Sequence, residues 1–145
     1  MVIDFDFVRP LSLNPNNYLR THSVVGHPLY WAPELNDAKG YTCLVDLWSL
    51  GICLFVMTFG FFPFGDSDDD SYAIMNKIKK DPVKFPKGRL RKHQNYEDFI
   101  SFLSQLLEKN PIKRLGGKLT KDYSIIKSHP FLRGFDFVRI MDQLN

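Results

Sequence analysis

The chain has little cysteine. Two residues, Cys43 and Cys53, stand among 145. Neither belongs to a CxxC pair, so a cysteine zinc site is excluded, and two are too few for a disulfide framework. Reduced thiols in an intracellular, cytoplasmic setting are the expectation. Charge of one sign is also scarce: 19 Lys+Arg against 16 Asp+Glu leave a formal net charge of +3. That balance is too even for a nucleic-acid or membrane-surface footprint. The histidines, His22, His27, His93 and His129, lack metal-ligand spacing. A GxSxG elbow is missing, as are internal repeats and low-complexity tracts. Met1-Val2-Ile3-Asp4-Phe5-Asp6 puts acids where a secretory signal needs a basic and then an apolar region.

What is present is apolar. Hydrophobic residues are 44% and charged residues 24%, which excludes disorder throughout. The length suits one domain or part of a larger one. Thirteen phenylalanines need a large core or a partner to cover them. One uncharged run, LWSLGICLFVMTFGFFPF from Leu47 to Phe64, is 18 residues long. That is close to the ~17–25 residues of a membrane span. Its immediate flanks carry no Lys or Arg, Asp46 precedes it, and Gly60 and Pro63 interrupt its end. The buried helix of a larger domain is the better reading, and a membrane partner is not expected.

Along the chain, Val2 to Val8 alternates like a strand. Residues 9–30 read as a long loop rich in Pro, Asn and Ser. Pro33-Glu34 looks like a short helix start. Thr42 is placed to cap a helix from about Cys43 to Phe59, stopped by Gly60. Tyr72, Ile74, Met75 and Ile78 have helical spacing. Tyr96, Phe99, Ile100, Phe102, Leu103, Leu106 and Leu107 form a stripe that Asn110-Pro111 ends. A last short helix is expected near Ser124 to Lys127. Asp66 to Asp70 is an acidic loop. A calcium loop beginning there would need Gly and Glu where Ser71 and Lys77 stand, so a solvated loop is expected. Leu115-Gly116-Gly117-Lys118 lacks the Walker spacing and is followed by Leu119, so it reads as a turn.

Four features in fixed order carry more. Asp4-Phe5-Asp6 ends the strand. Ala32-Pro33-Glu34 follows Gly26-His27-Pro28-Leu29-Tyr30. Asp46-Leu47-Trp48-Ser49-Leu50-Gly51 opens the apolar helix. Asn110-Pro111-Ile112-Lys113-Arg114-Leu115-Gly116 closes the amphipathic one. In this order they resemble the C-terminal half of a protein kinase domain, with its D-F-G, A-P-E and D-x-W-S-L-G signatures. Phe85-Pro86, Arg114-Leu115-Gly116 and His129-Pro130-Phe131-Leu132-x-Gly134-Phe135 sharpen the resemblance to AGC-group Ser/Thr kinases, most like the cyclic-nucleotide (cGMP)-dependent ones. The likeness covers Val2 to Phe137. It implies a partial kinase domain over 1–137 and a tail over 138–145. The implied fold is mainly α: a C-lobe fragment with one short N-terminal strand, a long activation-segment loop and a helical bundle.

The resemblance assigns roles residue by residue. Asp4 matches the acid that holds Mg²⁺ against nucleotide phosphates, and Phe5 packs beside it. Glu34 and Arg114 match an ion pair tying the activation segment to the late helices. Asp46 matches a structural acid that accepts backbone hydrogens from the catalytic loop. Ser23 matches the activation-loop phosphosite, and Arg9 the basic residue facing its phosphate. Three positions depart: Asp6 stands for Gly, His27 for Thr and Leu29 for Glu. The segment from Asp4 to Ser23 is also longer than is usual in the AGC group. No catalytic-loop H-R-D, β3 Lys or Gly-rich loop lies in these residues, and the AGC hydrophobic tail is missing. No catalytic residue is therefore assigned, and this chain alone is expected to be inactive. ATP and Mg²⁺ are implied for a complete kinase, without tight binding here. The expected partner is a protein substrate or a kinase N-lobe. A non-catalytic, pseudokinase-like interaction module is the alternative.

Overall fold

The computed structural model of the chain describes residues 6–8, 20–86, 88, 92–117 and 123–142. Helix α1, Leu44–Phe59, forms from the apolar run and is its longest element. No side chain caps its start; Thr42 only accepts the Leu44 N–H, at 3.4 Å. Gly60 stops it in the left-handed region, at φ 81°, and returns its N–H to the Val56 carbonyl. Trp48, Ile52 and Phe55 share one face and are completely buried. The opposite face is not covered: Leu50 and Cys53 are exposed and Met57 is 82% exposed. The helix that reads as buried all round is thus buried on one side only within these residues.

Helix α3, Tyr96–Leu106, packs against α1. Glu97 and Asp98 in its first turn suit the positive end of the helix dipole. Its buried stripe is Phe102, Leu103 and Leu106. The two helices meet at Gly51, where an added Cβ would stand 2.9 Å from Leu107 Cδ2 and 3.0 Å from Leu106 Cβ. Helix α2, Ser71–Lys80, is capped by Asp70, whose side chain accepts the Ala73 N–H at 2.7 Å. Lys109 closes its other end, donating to the carbonyls of Lys79 and Asp81 with its ammonium over the Phe64 ring. Ile74 and Ile78 of α2 join Trp48, Phe55, Phe64 and Leu103 in the main core.

A second cluster, Phe102, Leu106 and Leu115, holds the C-terminal region. Helix α4, Ser124–Lys127, matches expectation; α5, Phe137–Asp142, does not. It runs across the expected boundary at residues 137 and 138. Single 3-10 turns occur at Pro28–Tyr30, Pro33–Asn36 and Pro130–Leu132. Two of them share one device: His27 and His129 precede the proline and accept the N–H of Leu29 and Phe131 on Nδ1. Burial lowers the pKa of His129, which keeps that ring neutral and its acceptor available.

Most of the expected N-terminal strand lies outside the described residues, and Asp6-Phe7 within it form a turn. Among the described residues the only β pairing is the antiparallel bridge between Thr21 and Tyr41. No helix among them is long and apolar enough to cross a membrane.

Gly51→Ala tests the α1–α3 contact. Alanine gains about 1 kcal/mol of helix propensity. Overpacking against Leu106 and Leu107 costs ~1–3 kcal/mol and outweighs it. The variant is expected to melt about 2–4 °C lower by calorimetry. An unchanged or higher melting temperature would show that the helices separate freely.

Candidate functional site

The structure brings Glu34 and Arg114 together across 80 residues of sequence. Glu34 lies in the Pro33–Asn36 turn, and Arg114 in the turn after α3. Nη1 donates to Oε1 at 2.7 Å and Nη2 to Oε2 at 2.8 Å. The guanidinium is fully buried and the carboxylate nearly so. Nη1 also donates to the Leu44 carbonyl at 2.8 Å, and Nε to the Glu108 carbonyl at 2.9 Å. Its planar face lies 5.2 Å from the Trp48 ring. One side chain thus joins the Ala32-Pro33-Glu34 loop, the start of α1 and the end of α3. A buried charge is tolerated only with such a set of acceptors.

The segment 20–31 is held by residues on either side of Glu34 in sequence. Thr21 and Tyr41 exchange N–H···O=C bonds of 3.1 and 3.0 Å. Arg20 donates to the Gly40 and Lys39 carbonyls at 3.1 and 3.3 Å. The Tyr41 hydroxyl donates to the Ser23 carbonyl. The Trp31 indole N–H is shared between the carbonyls of Val25 (2.9 Å) and Gly26 (3.2 Å). Reading the loop by composition overlooks Trp31 and Tyr41. Their signal is an aromatic ring with a polar handle flanking a loop of unpaired carbonyls.

Two clefts flank the segment. One, of about 360 Å³, is lined by Phe7, Val25, Tyr30, Ala32, Asp46 and Ser49. The other, of about 460 Å³, lies between Val24, Trp31 and the α2 residues Tyr72, Met75 and Lys79. In the first, Ser49 donates to the Tyr30 carbonyl at 3.0 Å. The Asp46 side chain accepts no hydrogen bond from a described residue, and desolvation raises its pKa above the ordinary aspartate value. The residue is nevertheless exposed, and its place in the first turn of α1 favours the anion.

The remaining positions divide as follows. Ser23 is half-buried, held by its carbonyl and by its N–H to Thr21 Oγ1 at 3.4 Å. Asp6 is exposed. Asp4, Phe5 and Arg9 lie outside the described residues. Leu29, where the family has Glu, is buried in the main core. In the acidic loop Asp69 pairs with Lys77 at 2.6 Å. The described residues contain no group of three or more His, Cys, Asp or Glu able to hold a metal.

Comparison with known proteins places this geometry. Residues 1–132 match the family model described as the protein kinase domain. A cGMP-dependent protein kinase of Plasmodium berghei (strain Anka) is 33% identical over 125 residues, covering 86% of this chain and 14% of that protein. Serine/threonine-protein kinase TIO of Arabidopsis thaliana is 38% identical over 130 residues, covering 90% and 8%. Protein kinase PINOID 2 of Arabidopsis thaliana is 34% identical over 137 residues, covering 92% and 24%. The chain spans less than a quarter of the length of each of these relatives.

Two substitutions probe the site. Arg114→Lys keeps the charge but loses the fork and the carbonyl bonds, and is expected to cost about 2–4 kcal/mol in urea unfolding. A loss under ~1 kcal/mol would mean a point charge suffices. Asp46→Asn is expected to stabilise the chain at pH 7. The folded-state pKa of Asp46 is raised, so ionisation costs stability above it and nothing below the unfolded value. The advantage should therefore fade as pH falls towards the ordinary carboxylate value of about 3.9. Melting curves in which it persists or grows with acid would contradict this.

Proposed function

The chain belongs to the protein kinase family, and from that premise we propose that it is the C-lobe part of an AGC-type protein serine/threonine kinase working in the cytoplasm. In the complete enzyme the reaction is phosphoryl transfer from ATP to a protein Ser or Thr. The observation that supports this reading most is the Glu34–Arg114 fork, because it joins the Ala32-Pro33-Glu34 loop to the helices in the way the family resemblance implies. The kinase family implies ATP and Mg²⁺ for a complete enzyme. The described residues do not assemble a metal site by themselves. The proposed ligand is Asp4, with Ser23 as modification site and Arg9 as the residue facing its phosphate. Asp46 is proposed to accept backbone hydrogens from a catalytic loop in the cleft it lines.

A second reading, a non-catalytic interaction module, is favoured by one observation. Leu29 occupies the position of a family glutamate and is buried in the core, where it offers no charge.

A chimera decides between them. The catalytic half upstream of D-F-G is taken from the Plasmodium berghei relative and joined to residues 1–145. The folded chimera is expected to phosphorylate a serine peptide with ATP, while the chain alone does not. Asp4→Asn is expected to lower the rate by about 10²-fold or more, the scale of losing one positioned electrostatic group. A folded chimera without transfer would overturn the kinase reading in favour of the module.

A further inference from the structure

We infer that Trp31 and Tyr41 are positioning residues that hold Thr21–Gly26 in its docked place without a phosphate on Ser23. The inference rests on the kinase reading for its significance, because that reading makes this segment the regulated, substrate-facing one. Its geometry stands independently.

The segment has two kinds of restraint. At its start, Thr21 and Tyr41 form a reciprocal backbone bridge, and Arg20 donates to the carbonyls on either side of the Lys39–Gly40 bond. Gly40 permits that approach: a Cβ there would lie 2.8 Å from the Thr21 carbonyl oxygen and 2.9 Å from His22 Nε2. Further along, the restraint comes from side chains. The Tyr41 hydroxyl takes the Ser23 carbonyl, and the Trp31 indole takes those of Val25 and Gly26. A loop carbonyl run that would otherwise face water is satisfied by two rigid aromatic donors. Tyr41 is buried in a cluster with Leu35 and Met75, and Trp31 packs on that cluster, so neither donor is free to swing away.

The phosphate-bearing atom lies outside this network. Ser23 is held by its carbonyl and its N–H, and no restraint on the segment uses its hydroxyl. Esterifying that oxygen adds about −1.5 to −2 charges to a segment already in place. It breaks none of the bonds above and is required for none of them. Order in the segment and charge on it are therefore separate variables: the aromatic pair sets the first, and modification of Ser23 sets the second.

Hydrogen exchange on the full 145-residue chain tests this, read at the Thr21 and Tyr41 amides and across 22–26. In the unphosphorylated chain both amides are expected to be protected. Ser23→Ala should leave their exchange within about twofold of wild type. Tyr41→Phe, which keeps the ring and removes the donor, and Trp31→Phe, which exchanges the indole for a smaller aromatic ring without a donor, should each speed it about tenfold while α3 stays unchanged. Unprotected amides in the unphosphorylated chain would overturn the inference, as would protection that arises only on phosphorylation. Phenylalanine variants that exchange like wild type would overturn it too. If a variant loosens α3 as well, comparing unphosphorylated with Ser23-phosphorylated wild type decides alone. A chimera without transfer activity beside a protected segment overturns the kinase reading and leaves this inference standing; the converse overturns this inference alone.

Discussion

The Arg114 guanidinium is the interaction on which the rest of this structure depends. A cation removed from water is costly unless its donors are satisfied, and Arg114 is fully buried. Its fork to Glu34 answers the charge, and the Leu44 and Glu108 carbonyls take further N–H groups. These four acceptors belong to three parts of the chain. Satisfying one side chain therefore fixes where the Ala32-Pro33-Glu34 loop, the start of α1 and the end of α3 lie relative to one another. Trp48 covers the guanidinium face and stacks on Phe64 at 5.8 Å, linking the polar centre to the main core. Among the described residues its indole N–H is the one buried side-chain polar atom with no partner. Packing the ring on Arg114 and Phe64 outweighs that lost bond.

Function follows from what this anchor holds in place. With the loop at Glu34 fixed, Trp31 and Tyr41 lie on either side of it and reach back to the Thr21–Gly26 carbonyls. Two clefts then open beside the segment, one over Asp46 and one over Met75. Asp46 remains exposed, accepts no hydrogen bond from a described residue, and has its pKa raised by partial desolvation. The uncovered face of α1, at Leu50, Cys53 and Met57, adds exposed apolar surface. Among the described residues this framework carries an indole N–H and a carboxylate that lack hydrogen-bond partners.

The helices were the most legible part of the sequence. Spacing of three and four residues marks α3 from Tyr96, and Gly60 marks the end of α1, because periodicity and left-handed glycines are local signals. The Glu34–Arg114 pairing is not local. Nothing in spacing connects residues 80 apart, and only family resemblance raised the pair. The one-sided burial of α1 was hidden because its exposed residues are as apolar as its buried ones. Helix α5 was missed because six residues carry too little pattern to separate from a tail. The His-Pro turns at 27–28 and 129–130 had a readable cue, a histidine acceptor before a proline, that composition alone does not weigh. The anchoring of Thr21–Gly26 depends on Trp31 and Tyr41, whose donors find partners only once the chain has folded back.

A double-mutant cycle on Glu34→Gln and Arg114→Met, followed by urea unfolding, tests the central claim most directly. Each single variant strands one buried charge, whereas the double variant strands none; the Leu44 and Glu108 carbonyls lose their donor in both Arg114 variants and so cancel from the cycle. The coupling energy is expected to be about 2 kcal/mol or more, with the double variant well above the sum of the singles. Losses that add to within ~0.5 kcal/mol would show that the two side chains act independently, and the fork would not be what joins the loop to the helices.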